Sequence, residues 1–255
     1  AGPLFNFLFA ILAYAMISMV GMPNLTTDIG SVQAGSPAEA AGIRAGDSVV
    51  SIDGRGVERW GDLADMIAKS GGREITVTLK RNGATVNLGV KPEKVKGKNY
   101  FGEDVDIWKI GVGASETVFT YRQNPIRAAW TGLEWTWTIT KLTILSLVKM
   151  VQGDVSPDNL GGPIMIAQMA GASVKKGILN YVIFMALLSV NLAVLNLFPI
   201  PVLDGGHLLF FLIELVTGRE VNIKWRERAQ QVGFFILVML MIFVFYNDIM
   251  RIFGE

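Results

Sequence analysis

Residues 189–214 read SVNLAVLNLFPIPVLDGGHLLFFLIE, and the reading of this stretch decides the fold. A helix arriving from Gly177 meets Pro199 and Pro201. Each proline lacks an amide donor and disfavours α geometry at the residue before it, so the backbone is expected to unwind between Phe198 and Val202. The break lies near the end of a run of 27 residues without a charge, Gly177 to Leu203. Unwound backbone at membrane depth persists only where protein or a wet cavity satisfies its polar groups. Asp204 comes next, and an ionisable residue among such neighbours is a functional candidate by default. Gly205 and Gly206 permit close approach of another chain or a ligand.

The composition extends this picture to the whole chain. Of 255 residues, 51% are hydrophobic and 18% charged, with mean hydropathy +0.42. That excludes a disordered chain and an ordinary soluble protein, whose charged share is about 25%. Lys and Arg number 23 against 22 Asp and Glu, a balance that offers no electrostatic case for a nucleic-acid partner. There are no cysteines and one histidine, His207, so disulfides, thiol catalysis and a metal site with two imidazoles from this chain are excluded. Two further uncharged runs, Ala1 to Thr27 and Ala229 to Asn247, join the first. Crossing a bilayer takes roughly 20 apolar residues, so three spans are expected, near 4–20, 180–200 and 231–247. Residue 1 shows neither a basic flank nor a cleavage site and reads as a cut with sequence missing upstream.

Residues 128–150 carry Glu134, Lys141 and Lys149 among Trp130, Trp135 and Trp137. This pattern fits an amphipathic helix on or partly in the membrane, with a fourth span as the alternative. The short loop 217–228 holds Arg219, Lys224, Arg226 and Arg228 and favours the cytoplasm. Three spans then put residues 28–127 on the opposite, extracytoplasmic side.

Residues 28–114 read as a compact mixed α/β domain. Ser36-Pro37 starts a short helix, 48–52 is a strand turned by Asp53-Gly54, and 62–69 is a helix with Leu63, Met66 and Ile67 on one face. Alternation at 75–79 and 86–90 around Asn82-Gly83 signals a hairpin. The string GSPAEAAGIRAGDSVVSIDGRGV, Gly35 to Val57, resembles a bacterial, circularly permuted PDZ domain. That resemblance implies a groove taking an extended peptide or chain end by strand addition, with Ile110, Gly111 and Val112 as candidate groove edge and carboxylate loop. A spacer without a ligand is the bland alternative.

NLFPIPVLDGGH, Asn196 to His207, resembles the signature of the site-2 protease family of intramembrane zinc metalloproteases, in particular its RseP-type members with PDZ inserts. AGPLFNF (Ala1 to Phe7) resembles that family's second membrane helix, and GDVSPDNLGGPI (Gly153 to Ile164) the segment before its third. The fold so implied is an α-helical membrane protein with an inserted mixed α/β PDZ domain, three transmembrane helices and one amphipathic membrane-associated helix. Its divisions are 1–27, a transmembrane helix; 28–114, the PDZ domain; 115–178, the amphipathic segment; and 179–255, the C-terminal membrane domain.

The resemblance also implies a zinc site, with Asp204 as one ligand. The family's other ligands lie on an HExxH motif that this sequence lacks, so the chain is expected to be inactive alone. The RseP-type members usually have two PDZ domains, and this chain shows one. Zinc hydrolysis suits the residue that remains, since a carboxylate with two imidazoles leaves a fourth position for water.

Asn196 is the candidate catalytic residue, orienting the substrate strand or steadying an oxyanion. Asn191, Phe198, Pro199 and Pro201 are candidate substrate contacts. Plainer roles stay open: hydrogen bonds between helices for the two asparagines, an ordinary kink for the prolines, a helix cap for Asp204, an interfacial place for His207. The implied partners are a transmembrane protein substrate such as an anti-sigma factor or signal-peptide remnant, a peptide at the PDZ groove, and membrane lipid. The implied setting is a bacterial inner membrane. A membrane-tethered PDZ adaptor without catalysis is the rival reading. A transporter is a weaker one, because only one span is interrupted and it has no internal repeat.

Overall fold

The expected spans are helices: α1 (Gly2–Val20), α6 (Ile178–Asn196) and α8 (Ile223–Phe253). All three are long and apolar enough to cross a membrane. In the computed structural model, residues 2–99, 101, 103–156 and 160–253 are described. Residues 157–159, within the string read as preceding the third membrane helix, lie outside them. The chain divides into two compact units, Gly21–Tyr121 and the remainder.

In the helical unit, α4 (Pro125–Gln152) begins at Asn124, whose Oδ1 accepts the Arg127 amide, and has Pro125 in its first turn. It ends at Gly153 in the left-handed region, φ 86°. Its buried residues are Ala128, Gly132, Thr136 and Thr140, a stripe of small side chains every four residues. Such a stripe lets helices approach closely. A Cβ on Gly132 would collide with the Ile11 carbonyl of α1, and the rings of Tyr14 and Trp135 lie 5.5 Å apart. The Gln123 amide bonds the Ser18 carbonyl at 2.9 Å, so α4 runs back along α1. The expected amphipathic helix is therefore packed along α1. The small-residue stripe governs that packing, while Trp130 and Trp137 face outward, 62% and 61% exposed. Helix α6 also runs opposite to α1, tied by the Ser189 hydroxyl donating to the Asn6 carbonyl at 3.0 Å.

Two shorter helices complete this unit, α5 (Pro163–Lys175) and α7 (Asp204–Thr217). Asp248 of α8 is fully buried and its carboxylate accepts the amides of Gly162, Ile164 and Met165 at 3.1, 2.9 and 3.1 Å. These are orphan donors of the first turn of α5, so a side chain 83 residues or more away in sequence caps that helix. Arg251 donates to the same carboxylate at 2.6 Å.

The β-rich unit has its core in Ile29, Val49, Ile52, Leu63, Val77 and Leu79. Ser36 caps the short α2 (Pro37–Ala40). Strand β3 (Ser48–Ile52) sits in a four-stranded sheet ordered β4-β3-β5-β6, where β4 is Arg55–Gly56, β5 Ile75–Arg81 and β6 Ala84–Val90. Asn82 and Gly83, at φ 49° and 83°, make the β5–β6 turn, as expected of an Asn-Gly pair. Helix α3 (Trp60–Lys69) buries Leu63 and Ile67.

Three two-stranded ribbons complete the unit: β1 (Met22–Leu25) with β10 (Val118–Tyr121), β2 (Ile29–Val32) with β9 (Val112–Ala114), and β7 (Glu93–Lys98) with β8 (Asp104–Lys109). The unit is wider than the expected 28–114 because β1 and β10 pair with each other outside both borders.

Candidate functional site

The helix that carries the long apolar run stops where the prolines require it. Helix α6 ends at Asn196 and α7 starts at Asp204. Between them the Ile200 amide bonds the Phe198 carbonyl at 2.7 Å and the Leu203 amide bonds the Ile200 carbonyl at 2.8 Å. Among the described residues, the Val202 amide and the Pro199 and Pro201 carbonyls take no part in a backbone bond. The two glycines of LDGG receive the chain's own backbone. A Cβ on Gly205 would collide with the Leu197 and Phe198 carbonyls, and one on Gly206 with the Ile200 carbonyl and Pro201. Gly233 of α8 packs against the other side, within 3.4 Å of Val202, Pro201 and Ile200 for an added Cβ. A cavity of about 420 Å³ lies beside Val202, lined also by Glu227, Gln230, Gln231 and Phe234.

Asp204 does not cap α7. The cap position is Leu203, without a side-chain bond, and Asp204 is already helical. Its half-buried carboxylate points to the start of α1, where a Cβ on Gly2 would sit 2.8 Å from Oδ2. No hydrogen-bond partner or ion-pair partner reaches it among the described residues. His207, one turn further, is exposed. Among the described residues no three His, Asp or Glu side chains gather into a metal cluster.

The remaining candidates separate. The Thr143 hydroxyl donates to Asn191 Oδ1 at 2.7 Å, the bond between helices that a polar side chain in a span makes. Asn196 stands at the end of α6, half-buried, with Phe198 half-buried and Pro199 exposed. Asp248 was not among the sequence candidates. Its signal was an ionisable residue closing the 19-residue uncharged run Ala229 to Asn247, with Arg251 one turn on.

In the β-rich unit, Ile110, Gly111 and Val112 line a groove of about 660 Å³ whose opposite wall is α3. Gly111 is left-handed, φ 80°, and a Cβ there would collide with Ser36. Trp60 and Trp108, both unflagged by sequence patterning, also line it. At the start of α3, Arg59 pairs with both oxygens of Asp62 at 2.8 and 2.6 Å and lies 4.8 Å over the Tyr121 ring. The Asp62 bond raises the pKa of that guanidinium further.

Residues 1–240 match the model of peptidase family M50. The chain is 38% identical over 233 residues to the regulator of sigma-E protease RseP of Salmonella typhimurium, covering 90% of this chain and 51% of that protein. It is 32% identical over 254 residues to the zinc metalloprotease RasP of Oceanobacillus iheyensis, covering 99% of this chain and 59% of that one. The chain therefore spans a little over half the length of these relatives. Among solved structures, the PDZ domain of an SdrC-like protein from Listeria monocytogenes is 21% identical with a TM-score of 0.28, covering 36% of this chain and 86% of that chain. The corresponding domain from Listeria innocua is 21% identical with a TM-score of 0.29, covering 36% and 96%.

Proposed function

The chain belongs to peptidase family M50, and from that premise we propose that it forms part of an intramembrane zinc metalloendopeptidase. The observation that carries the reading is an unpartnered carboxylate, Asp204, beside the unwound stretch that follows α6, a helix long and apolar enough to cross a membrane. Asp204 serves as a zinc ligand, and the imidazoles come from outside this chain, which holds a single histidine. Zinc, when bound, supplies Lewis acidity and an activated water.

The chain's own residues prepare the substrate. A transmembrane helix keeps its amides in internal bonds, so cleavage requires unwinding and new partners for the freed groups. The Val202 amide and the Pro199 and Pro201 carbonyls supply such partners, and Phe198 packs against the incoming strand. Asn196 orients that strand or steadies the oxyanion, while Asn191 holds α6 to α4 at the same depth. Gly205 and Gly206 keep Asp204 close to the unwound strand.

The PDZ unit lies on the extracytoplasmic side of a bacterial inner membrane and controls entry. It holds back substrates with bulky external domains and admits those already trimmed, such as anti-sigma factors or signal-peptide remnants. Deleting residues 28–114 from the complete enzyme relaxes this selectivity; untrimmed substrates staying uncut ends the entry role. The reading as a whole is tested by Asp204→Asn in the complete enzyme. The expected result is weakened zinc retention with loss of cleavage, and full zinc occupancy overturns it.

A further inference from the structure

Several strands of the β-rich unit carry features that discourage a further strand from pairing with them. Strand β4 is two residues long, β1 contains Pro23, and β7 presents Lys94, Lys96 and Lys98. Strand β6, the other edge of the four-stranded sheet, has none of these. Its residues Ala84 to Val90 include no charge and no proline, and its register with β5 runs without a bulge.

The turn at Asn82-Gly83 fixes which groups of this edge are free. In a two-residue hairpin the flanking pair, here Arg81 and Ala84, exchanges hydrogen bonds. Bonded and non-bonded pairs then alternate along the ladder, so Val86, Leu88 and Val90 bond β5. The amides and carbonyls of Thr85, Asn87 and Gly89 point away from the sheet. On the far side of β5 the Asp53 amide bonds the Thr76 carbonyl at 2.8 Å, which agrees, because Thr76 faces Gly89 in a non-bonded pair. Thr85, Asn87 and Gly89 are exposed, and among the described residues their outward backbone groups take no other hydrogen bond.

These groups match a second copy of the same strand. Two copies laid antiparallel about a two-fold axis at Asn87 set Asn87 opposite Asn87, and Thr85 opposite Gly89 of the other copy on either side. Every facing pair is of the bonded kind, so no outward amide or carbonyl of the three residues is left over. A shift by one residue opposes outward groups to inward ones and loses these bonds. Thr85 meets a glycine, which leaves its side chain room. Lys91, the first charge after the strand, comes opposite Gly83, so no like charges face each other. The outward side chains of this edge are Thr85 and Asn87, which offer neither a charge nor an apolar anchor to select an unrelated peptide. The self-match therefore specifies the partner.

We propose that β6 is a self-association edge through which two copies of this chain join their four-stranded sheets into one continuous sheet. The inference stands on the β-rich unit and does not depend on the protease reading. A single strand edge buries less than the roughly 1,000 Å² of a stable complex. The pair is therefore weak in dilute solution and forms where copies are confined to one bilayer at high effective concentration.

The test reconstitutes the full chain in liposomes at a series of protein-to-lipid ratios, with donor- and acceptor-labelled copies mixed, and reads energy transfer between them. Asn87→Lys places like charges about 5.5 Å apart across the axis and is expected to weaken association about fivefold, whereas Asn87→Gln stays within about twofold of the parent. A second measurement uses the absence of native cysteine. Two Asn87→Cys copies face each other within disulfide reach, while two Thr85→Cys copies stand four residues out of step, about 14 Å apart. Oxidation should give about tenfold more covalent dimer with the first than with the second. Melting curves accompany each variant. Energy transfer that is equal in the parent and Asn87→Lys overturns the proposal, as does its absence in the parent at every ratio. Equal cross-linking at positions 85 and 87 overturns it too.

Discussion

Gly206→Ala and Gly171→Ala add the same methyl group to two helices, and the structure gives them opposite signs. At Gly206 the new Cβ overlaps the Ile200 carbonyl and Pro201 Cα. Both are backbone atoms, so no side chain can swing aside. Ordinary carbon contacts lie at about 3.5–4 Å, and the first turn of α7 has to withdraw by about an ångström. Overpacking of this kind costs about 1–3 kcal/mol, partly offset by the gain of about 0.5–1 kcal/mol from replacing a helical glycine. At Gly171, on exposed α5, nothing lies within 4 Å of an added Cβ, and only that gain remains.

For a chain of this size each kcal/mol moves the midpoint by about 2–4 °C. Gly206→Ala should therefore lower it by several degrees and Gly171→Ala raise it by about 1–4 °C. Thermal unfolding in detergent, followed by helical circular dichroism, measures both. Asp204 stands two residues before Gly206, so the withdrawal also displaces its carboxylate. In the complete enzyme zinc retention should fall for Gly206→Ala and hold for Gly171→Ala. A Gly206→Ala variant as stable as its parent refutes the packing of LDGG against the unwound strand.

Asp248→Ala strips three α5 amides and Arg251 of their shared acceptor; a larger loss of thermal stability than Gly206→Ala is expected, and an equal or smaller loss refutes the capping role. Asn196→Leu in the complete enzyme should cut turnover about 10²–10³-fold, the size of a lost oxyanion donor, with zinc content retained; unchanged turnover removes its role. In the β-rich unit, Arg81 donates to both oxygens of buried Asp47, at 2.8 and 2.7 Å, and holds its carboxyl below the usual range despite the burial. A depressed folded pKa means stability present above about pH 3.9, the free carboxylate value, and lost as pH falls through the folded value. Acid titration of that unit's tryptophan fluorescence should show this loss, and Asp47→Asn should remove the slope in that window.

Much of the architecture was legible because its causes are local. Uncharged runs of 19 to 27 residues have few fates other than burial in lipid or a core. Pro199 and Pro201 end α6 through the donors they lack, and Asn82-Gly83 turns a hairpin through backbone conformations open to those residues. The Phe198–Val202 break, the β5–β6 hairpin and Ser36 as a cap follow from such rules. Asp204 was legible as a candidate because an ionisable residue stands out in apolar surroundings.

What sequence reading missed depends on partners distant along the chain. The stripe Ala128, Gly132, Thr136, Thr140 has meaning only against Ile11 and Ala15 of α1. Gly205 and Gly206 read as places for close approach of another chain or a ligand, and folding fills them with the carbonyls of Leu197, Phe198 and Ile200 from the same chain. Asp248 closes an apolar run in sequence, yet caps a helix whose first turn lies more than 80 residues earlier. The groove between Val112 and α3 joins segments some 50 residues apart, and Trp60 and Trp108 carry no periodic signal that would pair them. Local backbone preference reaches a few residues in either direction. Contacts over tens of residues are set by which surfaces fit when the whole chain packs, and there the tertiary structure decided.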